Sequence, residues 1–308
     1  MKKLSIVFVG TGEFGVKTLN SLVNNLSIQI PLVITGVDKP AGRKLQVTTS
    51  AVKRAAAANK LVTQQADEIE SLKQKIIQAK PDFLLVVSYG EIIQSDILAI
   101  PKYGAVNIHG SLLPKYRGAS PIHETLLNGD KVAGVTWISM DEHMDSGDII
   151  AKKQISVSSD DDFGILHYKL ADLASEHTAD ILLDYVKSLY KEAQDETQAT
   201  YCRKIKKEDG LIDFKRETAD QIVRKIKAYI AWPGCFFFLN SKRIKILEVR
   251  KAEQEIGSME ISAINGTNLL IGTHSGTLEL LKLQPESKKP MTAVEFLRGQ
   301  RNLPNKLT

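Results

Sequence analysis

The run Phe83 to Val87, FLLVV, is the sequence feature that most limits how this chain can fold. It has no polar-apolar alternation, so as a strand it must be covered on both faces, which is the condition of an interior strand in a parallel sheet. The segments before it agree. Leu4 to Val9 (LSIVFV) ends in glycine, and Gly15 to Val23 follows with Val16, Leu19, Leu22 and Val23 on one helical face. Gln29 to Val37 reads as a strand, about Ser50 to Asn59 as a helix, Leu61-Val62 as a brief strand and Ser71 to Lys80 as a helix. Strands alternating with helices predict an α/β layer structure, whose ligands sit beyond the carboxyl ends of the strands.

Further along, Pro121 to Leu127 reads as a helix, Ala133 to Met140 and Ile149 to Val157 as strands around a polar loop, and Phe163 to Leu189 as a long amphipathic helix. Residues 190–208 are polar and charged and read as a connector. Beyond them the pattern changes to a helix, Ala219 to Tyr229, then short strands at Cys235 to Leu239, Arg243 to Val249, Asn268 to Gly272 and Leu278 to Leu283. Turn pairs Asn265-Gly266 and Ser275-Gly276 separate them, and a helix from Thr292 to Gly299 closes the chain. Short strands with such turns predict a small β-barrel. The expected fold is therefore α/β: an N-terminal Rossmann-like, mostly parallel sheet with flanking helices, plus a smaller C-terminal β-barrel of OB-like form.

At 308 residues with 43% hydrophobic content the chain can bury large cores without staples. Its two cysteines, Cys202 and Cys235, lie outside any metal-ligand spacing, which argues against zinc and against a disulfide framework and fits a reduced cytoplasm. The apolar start is too short for a signal peptide, and no run approaches the ~20 residues that cross a bilayer. The net charge of +5 is unevenly placed: residues 206–308 hold 18 Lys/Arg against 12 Asp/Glu, leaving −1 for the first 205. A basic module beside a near-neutral one suits a polyanionic partner.

Two motifs compete for the chemistry. Gly10-Thr11-Gly12-Glu13-Phe14-Gly15 matches GxGxxG between strand and helix, with Asp38 downstream, as in a dinucleotide site. Asp38 opens the basic loop Asp38-Lys39-Pro40-Ala41-Gly42-Arg43-Lys44, however, and the denser polar chemistry lies later, so the glycines read as a turn that packs helix against sheet. The second motif, NIHGSLLPKYRGASP (Asn107 to Pro121), places Asn107, His109 and Ser111 at alternate positions, on one face if the strand continues that far. An amide donor beside an imidazole can stabilise an oxyanion and manage a proton.

NIHGSLLPKYRGASPI together with MDSGDII resembles the formyltransferases that use 10-formyltetrahydrofolate. GTGEF is similar to a GTPxF turn of that family, with Gly12 at its proline, and DKPAGR, VVSYG and LQPESKKPMTA follow in the family's order. The resemblance implies that residues 1–189 form the catalytic domain, 190–208 a linker and 209–308 a tRNA-binding β-barrel. It implies transfer of a formyl group from 10-formyltetrahydrofolate to the amine of methionine esterified to initiator tRNA, with no metal, no membrane and no obligate protein partner. Asn107, His109 and Asp145 match the family's catalytic residues. Ser111, Leu112, Leu113 and Pro114 match its carrier-binding segment, with Tyr89, Gly90, Glu91 and Ile92 facing the pterin from the other side. Arg117 reads as structural or electrostatic, and Asp148 as a turn carboxylate. Arg43, Lys44, Lys206 and Lys207, with Arg203 and Lys204, are the expected phosphate contacts. Two other readings fit the same residues: a formyltransferase acting on a nucleotide-linked amino sugar, and an RNA-binding protein on a retired enzyme scaffold.

Overall fold

The computed structural model describes residues 3–41, 46–65, 69–264, 267–300 and 303–307. The chain divides into two compact units: residues 1–121, 132–157 and 166–203, and residues 122–131, 158–165 and 204–308.

The first unit is built on a seven-stranded sheet. Its order is Ile149–Ser156, Val132–Ser139, Ala105–His109, Phe83–Val87, Leu4–Gly10, Ile28–Thr35, Thr63–Gln65. The last five in that order run parallel to one another, while Val132–Ser139 is antiparallel to both its neighbours. Phe83–Val87 and Leu4–Gly10 are buried along their whole length, as the unbroken apolar runs require. The antiparallel edge strand instead carries exposed Lys152 and Lys153, which discourages further strand pairing.

The helices follow from capping and periodicity. Ser50 Oγ accepts the Lys53 N–H at 3.2 Å and starts Ala51–Ala58. In Phe163–Ser188 the buried positions include Leu166, Leu170, Ala174, Thr178, Leu182 and Tyr185, a stripe stepping by three and four residues. Trp137, fully buried in the sheet, donates its indole N–H to Thr178 Oγ1 at 3.0 Å, so the one polar atom of the largest core side chain is satisfied.

The GxGxxG turn serves packing. A Cβ on Gly10 would lie 2.6 Å from the Val87 carbonyl oxygen, and the Thr11 and Gly12 amides donate to Ser88 O. Asp38 pairs with Lys53 at 2.6 Å. The second strand stops at Thr35, where the Gly36 amide turns onto Thr11 Oγ1, and the strand expected at Leu61-Val62 forms at Thr63–Gln65. Lys39–Ala41, at the start of the basic loop, pairs antiparallel with Gln46–Thr48. Arg43 and Lys44 fall outside the described residues.

Within the expected connector, polar composition conceals ordered structure. Glu192 exchanges backbone hydrogen bonds with Ile149, and Tyr201–Cys202 pairs in parallel with Arg117–Gly118.

The second unit carries a curled antiparallel half-barrel sheet of order Cys235–Leu239, Lys242–Lys251, Thr277–Pro285, Asn268–Gly272, Ile261–Ile264, with Met291–Thr292 also on Thr277–Pro285. Alternation puts Phe237, Ile244, Ile246 and Leu283 inside. Capping boxes at Thr218/Gln221 and Thr292/Glu295 start the helices Ala219–Ala228 and Ala293–Arg298. Ile261–Ile264 and Met291–Thr292 are too short and too mixed to announce themselves in the sequence.

Candidate active site

Parallel register fixes where the site lies. Gly10, Val87 and Ile108 are aligned neighbours at the carboxyl ends of three adjacent strands, and Asn107 and His109 occupy the end of the third. Asn107 is opposite Ile138 in the antiparallel neighbour, whose continuation is the loop holding Asp145. The sheet thus brings together residues 38 positions apart.

Asn107 Nδ2 donates to Asp145 Oδ1 at 3.1 Å. Asp145 Oδ2 accepts the Gly118 amide at 2.9 Å and stands 3.5 Å from His109 Nδ1. The other ring nitrogen, Nε2, is 2.9 Å from the Tyr116 carbonyl oxygen and donates to it in the tautomer that fits. His109 is 6% exposed, so its ring is held between an acid and a carbonyl in a largely dry setting. Asn107 keeps its second amide N–H for another acceptor.

Asp145 has φ +53°, a left-handed backbone uncommon outside glycine. Its loop is organised from one end by Asp141, which accepts the His143 amide at 2.8 Å and the Ser146 hydroxyl at 3.1 Å. From the other end Gln194 donates to the carbonyl oxygens of Asp145 and Gly147, at 2.8 and 2.7 Å. Gly147 must be glycine: a Cβ would lie 1.8 Å from Ser139 O.

Arg117, 2% exposed, donates to Gln194 Oε1 from Nε and Nη2, and makes a two-bond pair with Glu196 at 2.9 and 2.7 Å. The Glu196 carboxylate, opposed by the cost of burial, holds the guanidinium above its usual range. An open cavity of about 560 Å³ is lined by Arg117, Glu196, Tyr201, Asp141, His143, Met144 and Ser146.

The structure separates residues that sequence spacing put together. The strand ends at His109, so Ser111 does not share the face of Asn107 and His109; its buried hydroxyl donates to Lys115 O at 2.6 Å. Leu113 is also buried, packed with Ile138 and Ile149, and its amide donates to Thr136 Oγ1. Leu112 and Pro114 remain half-buried. Tyr89 packs against the core cluster that contains Val86, Ile97 and Leu98, while Gly90, Glu91 and Ile92 are exposed, Ile92 at 97%. Burial first, and then the nearby Glu91 carboxylate, push the Tyr89 hydroxyl up to about 12. Asp148 forms an ion pair with Lys191 at 3.0 Å. Lys206 and Lys207 are exposed in the second unit, the Lys206 amide being used by Asp209. Gln194, Gly118 and the Tyr116 carbonyl carried no signal in the sequence, because each matters only through its partner. Among the described residues there is no group of three or more His, Cys, Asp or Glu side chains suited to hold a metal, and no helix is long and apolar enough to cross a membrane.

A mostly parallel sheet with Asn107 and His109 at its carboxyl edge and Asp145 in the adjoining loop has the amide donor, imidazole and carboxylate that a group-transfer enzyme acting at a carbonyl needs. The chain belongs to the formyl transferase family: the model of that family matches residues 2–182, and the model of the formyl transferase C-terminal domain matches residues 204–301. It is similar to the methionyl-tRNA formyltransferase of Geobacter metallireducens, 36% identical over 98% of this chain and 97% of that one. The enzyme of the same name from Methylacidiphilum infernorum is 38% identical over 97% and 96% of the two chains. Among solved structures, an N-formyltransferase from Helicobacter canadensis in complex with folinic acid and dTDP-3-aminofucose shares the fold at a TM-score of 0.65 and 20% identity, over 91% of this chain and 99% of that one.

Proposed function

We propose that this enzyme transfers the formyl group of 10-formyltetrahydrofolate to the free amino group of methionyl initiator tRNA. The amine nitrogen adds to the formyl carbon, and the tetrahedral intermediate collapses by expelling the carrier nitrogen, which takes up a proton. The free Nδ2–H of Asn107 donates to the developing oxyanion, a kind of contact worth about 10²- to 10³-fold in rate. Asp145, oriented by the Gly118 amide and Asn107, faces His109 and completes a route for the amine proton. Ser111 to Pro114 serve the carrier through the exposed parts of Leu112 and Pro114 and through the backbone. Tyr89 to Ile92 supply the opposing wall, where Ile92 offers an unburied apolar side chain.

The observation that carries the reading is the convergence of Asn107, His109 and Asp145 in a chain that matches methionyl-tRNA formyltransferases along nearly its whole length. The basic residues of positions 206–308, among them Lys206 and Lys207, hold the RNA by its phosphates, and residues 1–189 carry the chemistry. Arg43 and Lys44 are proposed to add to that phosphate contact. The enzyme acts in the cytoplasm without metal.

Incubation of purified protein with 10-formyltetrahydrofolate and methionyl-tRNA is expected to yield formylmethionyl-tRNA. Formylation of a nucleotide-linked amino sugar but not of the tRNA would replace the proposed acceptor. RNA binding without either transfer would leave only a binding protein.

A further inference from the structure

We infer that Gln194 is a positioning residue for formyl transfer, acting on Asp145 through the backbone of its loop. The inference rests on the proposed reaction and adds to it a residue from the polar stretch that follows the long helix, within the first unit.

Both amide hydrogens of Gln194 go to carbonyls of one short segment, Asp145 O at 2.8 Å and Gly147 O at 2.7 Å, and its oxygen takes two N–H groups of Arg117, at 3.1 and 2.9 Å. A glutamine amide has two donor hydrogens and two acceptor lone pairs, so its capacity is fully used. The side chain is 9% exposed, and a broken bond there leaves a buried polar group without a partner.

The contacts close a ring. Arg117 holds Gln194, Gln194 holds the Asp145 carbonyl, and the Asp145 carboxylate accepts the amide of Gly118, the residue after Arg117. Fixing that ring fixes the distance between the Arg117–Gly118 strand and the 145–147 loop. It also sustains the left-handed backbone of Asp145, a state that costs about 1–3 kcal/mol and persists only where its surroundings enforce it. The loop also borders the open cavity, where Met144 is 68% exposed, so side-chain packing at Met144 does not restrain it. Displacement of a catalytic group by about 1 Å costs about 10²-fold in rate, and Gln194 is placed to prevent one.

Two substitutions separate this role from simple support of Arg117. Gln194→Glu keeps an acceptor for Arg117 and removes both donors to the loop; Gln194→Ala removes everything. The full-length protein and both variants are assayed for formylation of methionyl-tRNA at saturating substrates, and amide hydrogen exchange is followed at Gly118. Both variants are expected to lose about 10²-fold in kcat with KM for each substrate changed less than about twofold, and the Gly118 amide is expected to exchange faster. Wild-type kcat with a protected Gly118 in Gln194→Glu would overturn the inference and leave Gln194 as a partner of Arg117 only. If the wild-type protein does not formylate methionyl-tRNA, the proposed function fails; Gly118 exchange in the two variants then decides the positioning role by itself.

Discussion

The backbone amide of Gly118 donates to Asp145 Oδ2 at 2.9 Å, so the carboxylate at the centre of the site is oriented by a peptide group 27 residues away. Gly118 has φ +117°, and a Cβ there would lie 2.2 Å from the Cys202 carbonyl oxygen. Gly118→Ala must therefore shift the Tyr201–Cys202 strand as well as strain its own backbone. It is expected to cost about 2–4 kcal/mol in urea unfolding and to remove most formyl transfer.

At Asn107 the outcome is kinetic. Asn107→Ala removes the donor proposed for the oxyanion and one of the bonds that aim Asp145. A fall in kcat of about 10²- to 10³-fold with intact folding, seen in steady-state assays and far-UV circular dichroism, is expected. Unchanged kcat would remove Asn107 from the mechanism.

Leu113→Ala addresses stability. The side chain is 1% exposed and packed with Ile138 and Ile149 beside the Asp145 loop. Truncation should destabilise the protein by about 2–5 kcal/mol, measured as a lower denaturation midpoint, and raise KM for the folate donor more than that for tRNA.

Acid stability turns on His167, whose ring packs edge-on against Phe14. Burial, partly offset by Glu13, lowers its pKa from 6.5. The unfolded chain therefore binds the proton more readily than the folded one, so this contribution to stability is complete above pH 6.5 and shrinks as pH falls from there toward the lowered value. In His167→Leu the denaturation midpoint should fall less over that acidic window than in the wild-type protein.

Lys206→Ala with Lys207→Ala tests the RNA reading. Loss of phosphate contacts should raise KM for methionyl-tRNA and reduce the slope of log affinity against log salt by up to about 1–2, with KM for the folate donor unchanged. An unchanged slope would place the RNA elsewhere.

The sequence carried the sheet strands well because apolar runs such as Phe83–Val87 have few alternatives, and helix caps such as Ser50 act locally. A motif resemblance, rather than spacing, singled out Asn107, His109 and Asp145, which the structure brings together. Periodicity left open whether Ser111 shares the face of Asn107 and His109, since a strand end is set by which neighbours remain to pair, and pairing beyond His109 stops. The polar stretch 190–208 reads as a connector because composition registers solvation; most of it is exposed, but Gln194 and Glu196 within it spend their polarity on a buried arginine.

By itself the sequence determined the layers: which runs must be buried on both faces, where helices begin, and which residue types are available for acyl chemistry. Only the tertiary structure decided that Gln194 and Gly118 belong with Asp145, and that Ser111 does not belong with Asn107. Hydrophobic burial is written into local composition and survives any rearrangement that keeps it. A hydrogen bond between Gly118 and Asp145 exists only at one distance and one angle, and those are set by the registers of strands far apart in the chain.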